Sequence, residues 1–259
     1  PMFHNVLSSL PILGALLFAT CSMAASDYQT RSVVRSYPMG LLMTGIVGFG
    51  KKIWDDSHLK NNYMYGYVRP SLQIQTNTMV NSAKLQLDLA PISFASFYLG
   101  TGKTYRYLKK MGSFNCDEVI CEGQLERHYV GTKIGLKFHS LFFMNDYRYE
   151  KNRIQKRHGV FADEQATLKG RGPYDYLSQN LTVIGHQLKD RWSVGLLNQY
   201  NTMTYQKNSS DMALMYGELL QNKWRYMLGA GIFKNFQHQY IFSSLMMFTW
   251  QGEKGMLLF

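Results

Sequence analysis

Lys223-Trp224-Arg225-Tyr226-Met227-Leu228-Gly229-Ala230-Gly231-Ile232 holds two residue sets interleaved at a spacing of two. Trp224, Tyr226, Leu228, Ala230 and Ile232 make one set; Lys223, Arg225, Met227, Gly229 and Gly231 make the other. That period is an extended strand's, because successive side chains leave opposite faces of the pleat. A little further on, Tyr240, Phe242, Met246, Phe248 and Trp250 share a face with Ser244, while Gln239, Ser243, Thr249 and Gln251 take the other. Aromatics near the strand ends with smaller aliphatics between them suit a segment that crosses a bilayer, its amphipathic rings at the headgroups.

The same alternation runs back along the chain. Leu85, Leu87 and Leu89 alternate with Lys84, Gln86 and Asp88. Val130, Thr132, Ile134, Leu136 and Phe138 alternate with Gly131, Lys133, Gly135 and Lys137. Trp192, Val194 and Leu196 alternate with Ser193, Gly195 and Leu197. Ten strands are expected near 62–75, 80–90, 93–107, 124–138, 140–149, 177–188, 192–205, 211–221, 223–234 and 239–250. Tight connections are expected at Ala90-Pro91, around His139, at Lys189-Asp190 and at Gln221-Asn222. The long ones, 108–123 and 150–176, fall on the opposite side. Short turns at one end and longer loops at the other are the asymmetry of a membrane barrel. Gly40–Trp54 and Gly255–Phe259 would raise the number to twelve, and closed barrels favour even numbers, yet that register starts the chain on the outside. The fold expected is all-β, an antiparallel up-and-down transmembrane barrel of 10–12 strands.

Composition agrees. The 259 residues carry 28 Lys and Arg against 17 Asp and Glu, a formal charge of +11, and 14% are aromatic. A mean hydropathy of −0.24 excludes a bundle of membrane helices, and so many rings with so little charge exclude disorder. Val6–Phe18 is an apolar run of leader length, and Ser22-Met23-Ala24 places small residues where a signal peptidase reads, so 1–24 is expected to be a secretory signal peptide and 25–259 the barrel. Pro1–Asn5 offers only His4 where a leader starts basic. A retained membrane helix and lipidation at Cys21 are the alternatives. Cys116 and Cys121, five residues apart in a polar stretch, are expected to close a small disulfide loop; only His128 stands by as a further metal ligand, so no metal site is expected.

The end of the chain, Met256-Leu257-Leu258-Phe259, resembles the terminal signal of bacterial outer-membrane proteins, a C-terminal aromatic preceded by alternating apolar positions. The glycine of that pattern would fall at Lys254, whereas this chain has Gly252 and Gly255. The resemblance covers the general architecture over 40–259. It implies an outer-membrane location, recognition by the barrel-assembly machinery, and contact with membrane lipid and lipopolysaccharide. A soluble sandwich or lipocalin-like barrel would alternate equally well. The glycines and lysines of the second face, the abundance of Tyr and Trp, and long loops on one side weigh for the membrane.

Chemistry is sparse. The outer-membrane phospholipases resemble serine hydrolases with a His-x-Ser-Asn run; here His139-Ser140 is followed by Leu141, and His186 by Gln187-Leu188, so no catalytic residue is assigned and an enzyme is not favoured. Phosphate loops and dinucleotide fingerprints are absent, and no cofactor is expected. The basic residues say more. Lys84, Lys133, Lys137, Lys223 and Arg225 are expected to line the lumen, where they would favour anions unless carboxylates such as Asp88 and Glu218 neutralise them. Arg106, Lys109, Lys110, Lys151, Arg153, Lys156 and Arg157, with Lys169 and Arg171, are expected in outer loops facing lipopolysaccharide phosphates. Nucleic acid is not an expected partner. Three functions stay open: a narrow, anion-favouring channel or structural component, a lipid-modifying enzyme, and a barrel whose 150–176 loop binds a protein partner.

Overall fold

The computed structural model describes residues 25–55, 64–77, 79–107, 114–155, 159–189 and 191–252. The expected leader (1–24) with Cys21, Lys109, Lys110, Lys156, Arg157 and the terminal Met256–Phe259 run lie outside these residues. The described chain forms fourteen strands: β1 (Ala25–Arg35), β2 (Gly40–Asp55), β3 (Tyr65–Thr76), β4 (Val80–Ile92), β5 (Ala95–Tyr107), β6 (Glu122–Phe138), β7 (Leu141–Ile154), β8 (Val160–Asp163), β9 (Leu168–Arg171), β10 (Tyr174–Lys189), β11 (Trp192–Met203), β12 (Asn208–Gln221), β13 (Trp224–Lys234) and β14 (Tyr240–Gln251). Twelve of them close an antiparallel barrel in chain order, and β8 with β9 forms a separate hairpin. Closure joins β1 to β14, from Gln29 opposite Gln251 to Arg35 opposite Leu245, so the sheet has no open edge.

The twelfth strand is not the one expected from 255–259 but β1. With it in place, β1 begins and β14 finishes at the end of the barrel that holds the short turns Ser93–Phe94, His139–Ser140 and Asn222–Lys223. The expected conflict of orientation disappears. Ala90-Pro91 is no turn; it lies inside β4, at an irregularity in the pairing with β5 between Leu89 and Ile92.

Over most of the barrel the outward face is apolar and exposed, as at Val47, Leu72, Leu85, Leu99, Leu196, Leu228 and Met246. A soluble barrel would turn these residues onto one another; here they clothe the exterior, as hydrocarbon requires. Two girdles bound the belt. Trp54, Trp192, Trp224 and Trp250 all sit at the short-turn end, while Tyr107, Tyr149, Tyr174, Tyr200 and Tyr240 mark the other.

Candidate functional site

The lumen is divided lengthwise. Between β10 and β14 the inward face carries an apolar cluster: Val183, Met212, Leu214, Tyr216, Met227, Phe233 and Leu245 pack together, with Phe142 and Met144 of β7 against them. Inward glycines make room for inward rings on neighbouring strands. A side chain at Gly131 would collide with Tyr98, one at Gly100 with Tyr129, and one at Gly185 with Phe142.

From β1 to β7 the wall is charged. Arg69 on β3 donates through Nε to Asp27 of β1 at 2.8 Å and through Nη1 to Asp88 of β4 at 3.2 Å. Lys133 lies 3.7 Å from Asp88 and 4.7 Å from the Tyr98 ring centre. The Tyr98 hydroxyl donates to Asp146 at 2.6 Å and accepts from Arg148 at 3.4 Å. Arg148 in turn covers the Tyr129 ring and lies 3.9 Å from Glu150. Glu150 accepts from Arg127 at 2.6 Å. These contacts form a ladder of charge from the short-turn end almost to the opposite mouth.

At that mouth the ladder meets the β8–β9 hairpin. Arg127 also donates to Asp163 at 2.9 Å and to Glu164 at 3.1 Å, both on the hairpin, and its Nε donates to Thr104 at 3.3 Å. Asp163 caps the hairpin turn, accepting from the backbone N–H groups of Gln165 and Ala166. Gln165 spans to Gln75 at 3.2 Å, and Ser210 donates to the Ala166 carbonyl at 2.7 Å, so the hairpin is tied to both walls. Phe161, Ala166 and Leu168 pack on Leu125, Ile154, Leu177 and Met203. Burial raises the Glu164 carboxyl above the usual carboxylate range, and neighbouring Asp163 adds to this, while Arg127 and Arg106 oppose it. Behind the hairpin, Ile120 bridges Phe161, and Cys116 and Cys121 form a disulfide with a Cα separation of 5.5 Å. Residues 160–171, expected as part of a long 150–176 loop, therefore fold into the barrel mouth because they carry the carboxylates and apolar residues that the inner wall needs.

The expected basic residues separate accordingly. Lys84 faces inward and donates to Gln165 at 3.4 Å; Lys137 donates to Gln187 at 2.8 Å; Arg225 lies 3.7 Å from Glu218. Lys223 does not line the lumen, since the strand alternation stops one residue short of it and leaves it in the β12–β13 turn. Arg106 is not in an outer loop: β5 runs on to Tyr107, turning Arg106 inward, where it is buried and donates to the Ala162 carbonyl. Lys151 and Arg153 sit on the outward face of β7, with Lys151 over the Tyr174 ring. Lys169 and Arg171 belong to β9, with Lys169 over Phe236. Arg31, Arg35, Arg69, Arg127 and Arg148 were not singled out by sequence; their inward positions in the alternation were the available signal.

Ser140 Oγ lies 3.4 Å from His186 Nδ1 at the short-turn rim, and no carboxylate among the described residues contacts that ring. The pair lacks the orienting group that a serine nucleophile requires. Among the described residues no group of His, Cys, Asp and Glu is arranged to hold a metal ion.

Twelve antiparallel strands closed on themselves, apolar outside and charged within, are the architecture of bacterial outer-membrane β-barrels. No protein-family model matches the chain, and no curated protein matches it. Similar solved structures include the KdgM porin in complex with disordered oligogalacturonate (9% identity, TM-score 0.44, 88% of this chain and 100% of that one). The NanC porin is similar at 10% identity and TM-score 0.46, over 88% of this chain and 99% of its own. The translocator domain of the autotransporter NalP from Neisseria meningitidis matches at 12% identity and TM-score 0.35, over 94% and 96%.

Proposed function

We propose that the chain is an outer-membrane channel, narrow and anion-favouring, whose outer mouth is constricted by the β8–β9 hairpin. In this reading the short-turn end faces the periplasm, as is usual for such barrels. One observation carries the selectivity: lumen carboxylates are masked while several cations remain in water. The Asp27, Asp88, Glu150 and Asp163 side chains are at most 5% exposed within ion pairs. Lys133 is 30% exposed and Arg225 40%, and Arg31 and Lys137 are exposed as well. Accessible charge, rather than total charge, sets the field that a solute meets.

The test is the reversal potential of the purified barrel in a planar bilayer under a potassium chloride gradient. Chloride should carry most of the current, and Arg31→Gln with Arg225→Gln should move the reversal potential toward zero. Cation preference, or silence in every salt, would remove the reading. Contact of the outer rim with lipopolysaccharide phosphates belongs to the same proposal, with Lys151 and Arg153 on the outward face of β7 as the residues placed for it.

A further inference from the structure

Most of the inward arginines already have partners. Arg69, Arg127 and Arg148 lie against carboxylates, and Arg106 lies 3.8 Å from Glu164. Arg35 donates to the Pro38 carbonyl at 3.2 Å. Arg31 and Arg225 differ. Arg31 is exposed to the lumen and has no hydrogen bond or ion pair with any described residue. Arg225 approaches Glu218 through Nε at 3.7 Å, too far for a hydrogen bond. Both stand directly opposite Thr249 of β14, Arg31 on β1 and Arg225 on β13. Two interstrand spacings put their Cα atoms about 10 Å apart, within reach of two facing guanidinium groups. Their charges act on each other. Between them Thr249 is 4% exposed, and its hydroxyl has no hydrogen-bond partner among the described residues. Toward the middle of the barrel the next inward row is apolar, Met227, Met247 and Val33; toward the rim it is Gln251 and Gln29.

We propose that Arg31, Thr249 and Arg225 form a binding site for an oxyanion, the carboxylate or phosphate group of a solute in the lumen. The proposal rests on the water-filled, cation-lined lumen of the channel reading and adds a saturable site to it. The three side chains offer donors in search of an acceptor. A guanidinium only donates, and the Thr249 proton has no described group to go to. Leaving a buried hydroxyl unpaired is costly, so a ligand that brings an acceptor is favoured there. The forked guanidinium matches two oxygens of a carboxylate or phosphate, a match that a halide cannot offer. Charge fits as well. Two arginines set against Glu218 leave one positive charge, which a single monovalent anion neutralises. The apolar row on the inner flank keeps water from that side and strengthens the attraction. Lys133 and Lys137, the other exposed cations, stand on β6, six strands around the barrel from β14, and take no part in the site.

The folded barrel, purified in neutral detergent and chloride-free buffer, is dialysed to equilibrium against radiolabelled acetate and, separately, against inorganic phosphate. At least one should bind saturably, one per barrel. Acetate alone would assign the site to carboxylate solutes, phosphate alone to phosphate-bearing ones. Thr249→Val should weaken binding about tenfold, the worth of one hydrogen bond to a charged group, and Thr249→Ser should restore it. Arg31→Gln should abolish it. Glu218→Gln removes the carboxylate that competes for Arg225 and should tighten binding several-fold, a gain that damaged folding cannot imitate. Lys223→Gln takes a charge from the same rim outside the lumen and should leave binding unchanged. Every variant is scored on protein that migrates as a folded barrel on unheated gels. No saturable binding of either anion, equal binding by the parent and Thr249→Val, or a loss in Lys223→Gln as large as that in Arg31→Gln would overturn the proposal. Because no current is read, a barrel that binds without conducting refutes the channel alone, and one that carries chloride without binding refutes the site alone.

Discussion

Replacing Arg127 with methionine should release the hairpin without unfolding the barrel. Arg127 is 1% exposed and is shared by one wall carboxylate, Glu150, and two hairpin carboxylates, Asp163 and Glu164. Without it, Glu150 still has Arg148 at 3.9 Å, and Asp163 still accepts from Asn152 at 3.1 Å. Glu164 keeps only the longer contact to Arg106, at 3.8 Å. Removing one partner of a buried ion pair costs about 3–5 kcal/mol, because the other charge stays in a poor solvent. Here the hairpin carboxylates can escape that cost by leaving the mouth, so most of it is charged against closure. At about 1.4 kcal/mol per factor of ten, a loss of 3 kcal/mol weakens closure by roughly a hundredfold. The apolar contacts of Phe161 and Leu168 oppose release, at about 1.5–3 kcal/mol for each side chain fully buried. The variant should therefore open part of the time rather than permanently. Single-channel recording should show a larger or newly flickering conductance, and trypsin should cut at Lys169 or Arg171 faster than in the parent. If R127M folds as a heat-resistant barrel with unchanged conductance and unchanged cleavage, the hairpin is not pinned by this charge network.

Two other outcomes follow from the same geometry. Because the Glu164 carboxyl titrates above the ordinary range when the hairpin is seated, the closed state binds the proton more tightly than the open one. Closure is then strongest at acid pH and weakens as pH rises through the raised value; conductance should climb with pH over that window, and E164Q should flatten the profile. Leu228→Arg places a charge at an outward position that is 59% exposed, and should cost about 2–4 kcal/mol in lipid, measured by urea unfolding in vesicles. The same change on a face exposed to water would scarcely register, so a loss below 0.5 kcal/mol on that scale would contradict the membrane orientation.

Residues differ in how far their neighbours in the chain reveal them. β13 and β14 were legible because every outward position from Trp224 to Ile232, and most from Tyr240 to Trp250, is apolar. β1 was not: its outward set of Ser26, Tyr28, Thr30, Ser32 and Val34 is largely hydroxyl, and its inward set includes Asp27, Gln29 and Arg31, so neither face stands out. Lys133, Lys137 and Arg225 could be assigned to the inner face by alternation alone. Their partners could not, since Arg69 is 42 residues from Asp27 and Arg127 is 36 from Asp163. The hairpin looks like a loop in the sequence for the same reason. Val160–Asp163 and Leu168–Arg171 are too short to show a period, and what seats them is contributed by β5, β6, β7, β10, β11 and β12.

The indoles offer a different use for the architecture. All four tryptophans occupy one rim, so their emission is a gauge with a single mark rather than an average over the whole wall. Quenchers attached at a chosen depth in one leaflet would report when that rim reaches its resting plane and would stay blind to the tyrosine-rimmed end. Assembly could thus be timed from one side, with no added label.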